Sequence, residues 1–312
     1  MVPQDYPRVI IEAIEPQVDG GRFPIKRVVG EKVAVSADIY KEGHDKLAAV
    51  LKVRKVGEKK WQESPMTQGD NDRWQGEFTV TAVGRWEYTI EGYAERYLSW
   101  VDEITKKNVG GATLSSELLE GLVILKKSAA AAAGGDRTRM NGIITAMESA
   151  PAAGEPQGAI DMGIGTVMRS MMARYPDRSE GYELAPALKI MVNRPITRFA
   201  SWYEFFPRSQ GTVPYRHGTL QDCIRRLRAI HAMGFDVVYL PPIHPIGVSF
   251  RKGKNNSLVS IPGDVGSPWA IGNEHGGHMA LEPQLGTWDD WDQFVATCRE
   301  LEIEIALDYV MN

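Results

Sequence analysis

One short segment rich in cationic and amide side chains has the residue types needed to bind an anion. It spans Phe250–Asn256 and reads FRKGKNN. Arg251, Lys252 and Lys254 supply positive charge, and Gly253 between them lets backbone N–H groups approach a phosphate. The segment matches neither a Walker loop nor a G-x-G-x-x-G loop, so a solvated basic loop is the alternative interpretation.

A second candidate group follows near the end of the sequence. Asp308 belongs to the end of a predicted strand, and Asn312 follows four residues later. A carboxylate at the carboxyl end of a barrel strand is typical of a functional residue. His275 and His278 flank a Gly-Gly pair, but no carboxylate shares metal-ligand spacing with them. We therefore expect these histidines to make hydrogen bonds within a loop, and we predict no metal site.

Aromatic residues are frequent in the same half of the chain. Their large apolar rings are consistent with stacking against a sugar, and equally with packing in a core. They are Trp202, Tyr203, Trp269, Trp288 and Trp291.

The elements that must position these residues have the pattern of a parallel α/β unit. Strands are predicted at Phe199–Phe206, Asp236–Leu240 and Glu304–Val310, and helices at Thr219–Met233 and Thr287–Leu301. The second strand is a continuous apolar run of the kind that parallel sheets bury on both faces. A long loop between this strand and the second helix carries the basic segment and both histidines, and loops of such length are commonly functional.

The first hundred residues are typical of an antiparallel β-sandwich. Strands are predicted at Arg8–Ile14, Lys32–Tyr40, Leu47–Arg54 and Gly84–Tyr93, and the second of them alternates apolar and polar residues. From about residue 102 to 178 the composition shifts to Ala, Glu, Lys, Leu and Met, which predicts two to four helices. Strand character returns at Leu188–Val192, so the helical block is interpreted as an insertion, with a separate domain as the alternative.

Composition limits the classes of partner. The chain has 312 residues, with 36 Lys+Arg and 40 Asp+Glu, giving a formal net charge of −4. This balance provides no concentrated basic surface, so neither a nucleic-acid nor a membrane partner is expected. The first residues lack the pattern of a signal peptide, and Cys223 and Cys298 are expected to be buried free thiols. A reducing cytoplasm is the expected compartment.

Several segments carry a specific resemblance when they are taken together. They are Arg8–Val33, the stretch GHDKLAAVLKVR from Gly43, Ala200–Ser209, Phe235–Gly247, Phe250–Asn256 and Pro262–Gly272. These segments resemble the α-1,4-glucan:maltose-1-phosphate maltosyltransferases of glycoside hydrolase family 13, the α-amylase superfamily. The resemblance covers nearly the whole chain and is weakest across the helical block.

The resemblance implies a multidomain protein. Residues 1–195 would form an all-β immunoglobulin-like sandwich with a helical insertion at about 102–178. Residues 196–312 would form the first part of a (β/α)8 TIM barrel, with about three of its eight strands. It also implies a cytoplasmic homodimer without a cofactor. Such an enzyme transfers maltosyl from α-maltose 1-phosphate to the non-reducing end of an α-1,4-glucan and releases phosphate.

Two substrate-binding residues follow from the resemblance. Lys252 falls on the lysine that helps to hold the donor. Asn312 falls where these enzymes usually have a donor-binding glutamine. The family typically reads LDIAFQ at this place, whereas Leu307–Asn312 reads LDYVMN, which is similar to the broader amylase pattern.

The catalytic carboxylates of this family are not assigned to any residue of the chain. Its retaining double displacement needs a nucleophilic aspartate, a general-acid glutamate and a second, stabilising aspartate. All three are carried on barrel strands after the third, so we expect them beyond Asn312. A closed barrel needs about 250 residues, so the sequence is interpreted as the N-terminal part of the enzyme and is expected to be inactive alone.

Two alternative functions are consistent with the sequence. The first is a non-catalytic module that binds glucan or dimerises. The second is a fragment of an amylase-type α-glucan hydrolase, which the Asp308–Asn312 pattern favours. The basic segment Phe250–Asn256 argues against the hydrolase, because a hydrolase has no phosphate to accommodate.

Overall fold

The chain divides into two units in a computed structural model that describes residues 7–109, 114–150 and 156–311. Contacts between residues separate Met1–Arg194 from Pro195–Asn312. Among the helices of the described ranges, none has the length and apolar character that a membrane crossing requires.

The described part of the first unit contains two β-sheets. The strands are β1 (Val9–Glu15), β2 (Ile25–Val28), β3 (Lys32–Lys41), β4 (Leu47–Lys55), β5 (Gln62–Pro65), β6 (Thr67–Gln68), β7 (Arg73–Thr79), β8 (Gly84–Ala94), β9 (Tyr182–Glu183) and β10 (Leu188–Asn193). Four strands form one sheet in the order β1-β3-β7-β6, and six form the other in the order β2-β10-β8-β4-β5, with β9 paired to β8. All pairs are antiparallel except β2 with β10.

The two sheets share one hydrophobic core. In β3, Val33, Val35, Ala37 and Ile39 are buried, whereas the residues between them remain wholly or partly accessible. Successive side chains of a strand point to opposite faces, so this alternation places one face of the sheet in the core. The predicted single buried face of this strand is confirmed.

Five helices lie between β8 and β9 in the described residues, which is more than the two to four predicted. They are α1 (Arg96–Val109), α2 (Ser115–Ala131), α3 (Gly134–Ser149), α4 (Pro156–Ile164) and α5 (Thr166–Arg174). Two of these helices, α4 and α5, are separated at Gly165, which has an extended backbone, with φ −64° and ψ 157°. The first helix also begins ahead of residue 102, because the Glu95 carboxylate accepts the Leu98 N–H and caps its first turn.

These helices have a core of their own. Its largest members are buried aromatic, aliphatic and methionine side chains, and methionine fills irregular gaps well. They include Trp100, Ile104, Leu125, Met140, Met147, Met168, Met171 and Met172.

The described part of the second unit contains a three-stranded parallel sheet and two helices. Its elements are β11 (Trp202–Glu204), α6 (Leu220–Ala232), β12 (Val237–Leu240), α7 (Trp288–Glu300) and β13 (Glu304–Leu307), with the strands in that order in the sheet. The predicted order of elements is confirmed. The first strand is shorter than the predicted Phe199–Phe206 at both ends, and after its carboxyl end Pro207 starts a single turn of 3₁₀ helix.

The two cysteines lie in the core between these helices and the sheet. Cys223 of α6 and Cys298 of α7 are buried free thiols, as predicted. Burial raises the pKa of each thiol to about 12, so both stay protonated and unreactive near neutral pH.

Thr219 fixes the start of α6. Its hydroxyl accepts the Asp222 N–H, and the Asp222 carboxylate accepts the Thr219 N–H, which together form a capping box. We expect Thr219→Ala to lower the free energy of unfolding by about 1 kcal/mol, measured by urea denaturation. Thr219→Ser keeps the hydroxyl and is expected to retain most of the stability. Equal losses in the two variants would show that the hydroxyl is not the cap.

Candidate functional site

The candidate site is built on one edge of the parallel sheet. Trp202 of β11 pairs with Val237 of β12, which pairs with Glu304 of β13, so the three strands are in register. Because the strands are parallel, their carboxyl ends lie along the same edge, where active sites of such folds are found. Asp308 follows β13 directly at this edge, and its N–H donates to the Leu240 carbonyl.

Asp308 is held by residues from other parts of the unit. The indole Nε1–H of Trp269 donates to Asp308 Oδ2 at 2.6 Å. Partial burial and a hydrogen bond to Asp308 raise the pKa of Tyr239, which lies in β12. The Trp269 ring meets Phe206 edge-on, with 5.8 Å between centroids. The long loop, which begins after β12, thus returns to the ends of β11 and β13.

His278 makes a second contact between the long loop and the residues after β13. Its ring lies 5.6 Å from those of His244 and Tyr309, and Nε2 donates to the Val310 carbonyl. His278 therefore makes a hydrogen bond, as expected, but to a residue outside its own loop. His275 is largely exposed beside Glu274. No group of three potential metal ligands occurs among the residues that the structure describes.

The cationic side chains of the basic segment Phe250–Asn256 differ in their contacts and therefore in their roles. The guanidinium of Arg251 donates to the carbonyls of Ile246, Gly247 and Asp264 at 2.9 to 3.1 Å. These hydrogen bonds hold the loop in its conformation, a role of Arg251 that the sequence pattern does not reveal. Lys252 is half-buried and makes no hydrogen bond or ion pair within the described ranges. Of the three cations in the segment, Lys252 is the one that is both partly buried and without a hydrogen-bond or ion-pair partner in the described ranges.

The backbone around Lys252 is tightly folded. The Gly253 N–H donates to the Ser257 carbonyl at 2.9 Å. A Cβ added to Gly253 would lie 2.3 Å from the Val259 carbonyl oxygen, so only glycine fits. Asn255 and Asn256 both have positive φ, which asparagine tolerates better than most residues. The segment is therefore a closed turn that holds Lys252 in a defined place.

A cavity of about 480 Å³ lies beside this turn. Its walls include Arg251, Asp264, Asn273 and Glu282. Glu282 is buried, and its carboxylate accepts the N–H groups of Ile246 and Gln284, both at 3.3 Å. The buried Asp264 carboxylate likewise accepts the Ile261 N–H at 2.8 Å. The sequence interpretation did not single out these two carboxylates, whose partners are backbone groups that no motif reveals.

The loop after β11 adds a buried cation and a histidine. Arg208 Nη1 and His217 Nε2 are buried and lack a partner among the described residues. Burial lowers the pKa of both side chains, and for His217 it outweighs the hydrogen bond to Gly218. His217 is therefore neutral near pH 7. The other predicted site residue, Asn312, lies outside the described residues.

The comparison with known proteins decides the family. Residues 7–194 match the family described as Alpha-1,4-glucan:maltose-1-phosphate maltosyltransferase, domain N/S. The chain belongs to this family. The family prediction from the sequence motifs is therefore confirmed.

Named relatives extend the similarity to the second unit. The chain is 43% identical, over 96% of its length, to the Alpha-1,4-glucan:maltose-1-phosphate maltosyltransferase of Myxococcus xanthus. It is 40% identical, also over 96%, to the enzyme of the same name from Chlorobaculum tepidum. The alignments span only 46% and 44% of these relatives, so the chain corresponds to less than half of their length.

Similarity to solved structures is much lower. Isomaltulose synthase from Klebsiella sp. LX3 is 21% identical, and the match covers 36% of this chain and 17% of that protein, with a TM-score of 0.26.

Proposed function

We propose that this chain is the N-terminal part of a maltosyltransferase. The whole protein would transfer maltosyl from α-maltose 1-phosphate to the non-reducing end of an α-1,4-glucan and release phosphate. The proposal rests mainly on the 43% identity, along almost the whole chain, to a relative with this activity in its name. The proposal is supported by Lys252, a half-buried cation that has no hydrogen-bond or ion-pair partner among the described residues.

The same proposal covers the architecture. The two sheets of the first unit would be an immunoglobulin-like sandwich occupying residues 1–195, with the helices at about 102–178 as its insertion. Residues 196–312 would supply about three of the eight strands of a (β/α)8 barrel. The protein would act as a cytoplasmic homodimer.

Two residues of this chain would bind the donor. The Lys252 ammonium would pair with the phosphate of maltose 1-phosphate, because it is a half-buried cation without a carboxylate partner in the described part of the chain. Asn312 would contribute an amide where the family usually has a glutamine. The nucleophile, the general acid and the stabilising carboxylate of a retaining double displacement would come from later strands, so the chain alone would be inactive.

Lys252→Ala in the full-length protein tests this proposal. Loss of a charged hydrogen bond to phosphate is expected to lower kcat/KM for maltose 1-phosphate by roughly 10- to 100-fold, measured as phosphate release with glycogen as acceptor. Lys254→Ala is the matched control, because Lys254 is exposed in the same turn, and it should change kcat/KM little.

Other outcomes would contradict the proposal. An unchanged kcat/KM in Lys252→Ala would remove the lysine from the donor site. Hydrolysis of glucan by the unmodified full-length protein, without phosphate release from maltose 1-phosphate, would favour the amylase-type hydrolase.

A further inference from the structure

We propose that Asp308 is a positioning residue that fixes the indole of Trp269 as an apolar platform for a glucosyl ring. This inference rests on the proposed function, since it assigns a sugar-contacting surface to the same strand edge. Neither residue is proposed to touch a reacting atom. Asp308 would act only through the orientation of the indole.

The hydrogen bond between the two residues joins parts that are far apart in sequence. Trp269 lies in the long loop between β12 and α7, whereas Asp308 directly follows β13. The 2.6 Å contact from Nε1–H to Oδ2 has an anionic acceptor, and such bonds are shorter and stronger than neutral ones. A tryptophan on a loop otherwise has several rotamers, so this bond selects one orientation of the ring.

The surroundings of the indole define its orientation further. Phe206, which follows β11, packs edge-on against the ring. The indole N–H donates to the Asp308 carboxylate. With its polar atom engaged, Trp269 remains 40% exposed. The indole N–H is therefore not available to a ligand, which leaves the apolar ring as the surface the side chain can offer. This ring lies at the carboxyl-end edge of the parallel strands, where ligands bind in folds of this class.

A partly exposed indole fits a hexose better than it fits an anion. The axial C–H groups of a glucosyl ring form an apolar face that stacks on an aromatic ring, while the equatorial hydroxyls remain free for hydrogen bonds. Ligand sites typically combine such an aromatic surface with a few polar groups. The expected ligand is therefore a glucosyl unit of the donor or of an α-1,4-glucan.

The test is a double-mutant cycle in the full-length protein, read as the Kd for maltoheptaose by calorimetry. Trp269→Ala is expected to weaken binding about tenfold, since aromatic stacking is worth up to that factor. Asp308→Ala should produce much of this loss although it leaves the ring in place. Trp269→Phe removes the N–H and keeps an aromatic ring, so Asp308→Ala should add little in that background.

Controls distinguish positioning from loss of folding. Thermal unfolding is recorded for each variant, and Asp308→Asn keeps an oxygen acceptor and should bind better than Asp308→Ala. Trp288→Ala alters an exposed tryptophan at the start of α7 and should leave the Kd unchanged. Fully additive effects of Asp308→Ala and Trp269→Phe, or an unchanged Kd in Asp308→Ala, would overturn the inference.

The outcome is independent of whether the proposed reaction occurs. Maltoheptaose carries no phosphate, so its Kd reports the sugar platform alone. If phosphate release from maltose 1-phosphate is absent but the cycle shows coupling, the proposed reaction fails and the platform stands. If phosphate is released and the cycle shows no coupling, the platform fails alone.

Discussion

Gly121→Ala is expected to destabilise the chain by about 3 kcal/mol, although alanine is the better helix former. A Cβ at position 121 in α2 would lie 2.3 Å from Cε2 and Cζ2 of Trp100. That ring is 2% exposed, and its Nε1–H donates to the Glu117 carbonyl at 2.7 Å. The buried ring therefore cannot move aside without breaking this hydrogen bond, and the cost exceeds the gain in helix propensity.

Gly142→Ala provides the matched control for this prediction. Gly142 lies in α3, and a Cβ there would have no atom within 4 Å. This substitution should stabilise the chain by about 0.5–1 kcal/mol, because it only removes freedom from the unfolded state. Both variants are measured by urea denaturation followed by far-UV circular dichroism. Similar effects of the two substitutions would show that Trp100 is free to move.

Lys52→Met is expected to lower the free energy of unfolding by about 3 kcal/mol, because it removes a buried cation and leaves the largely buried Glu91 carboxylate without its nearest partner. Lys52 is 8% exposed in β4. Its Nζ lies 2.6 Å from Glu91 and 2.8 Å from Glu183. Arg178 joins the same network through Glu63 at 2.8 Å and Glu91 at 3.3 Å. Burial alone lowers the pKa of Lys52, but these carboxylates outweigh it and raise the pKa.

Two comparisons test the network. Lys52→Met combined with Glu91→Gln removes both charges and should cost less than Lys52→Met alone, which denaturation of both variants would show. Lys32→Met breaks a single contact of 2.9 Å to Glu77 between two exposed side chains, and should change the stability by less than about 1 kcal/mol. Equal losses of stability in Lys32→Met and Lys52→Met would show that burial of the ion pair does not determine how much it contributes to the free energy of unfolding.

The elements that were predicted well have signals within a few residues. The alternation in β3 and the continuous apolar run of β12 depend on neighbours along the chain. The break between α4 and α5 at Gly165 and the start of α1 ahead of residue 102 are not indicated by the composition of the helical block. A glycine within a helical stretch is compatible with a continuous or an interrupted helix, and its backbone conformation decides between them. A glutamate near a helix start caps the helix only if its carboxylate accepts a backbone N–H of the first turn.

The sequence predicts only part of the candidate site, because the remaining properties depend on contacts between residues that are distant along the chain. The residue types of Phe250–Asn256 indicated an anion site, but not which cation remains available. The three carbonyls that occupy Arg251 come from Ile246, Gly247 and the more distant Asp264. Lys252 has no partner among the described residues, a property that depends on every neighbour in space.

By itself, the sequence determined the family, the order of the strands and helices, and the loop that carries the candidate residues. These follow from motifs and periodicities that are local in the chain. Only the tertiary structure decided that Trp269 meets Asp308, that His278 meets Val310, and that Arg251 supports the loop while Lys252 keeps its charge. Each of these depends on contacts made when the loop folds back, and spacing along a chain does not specify such contacts.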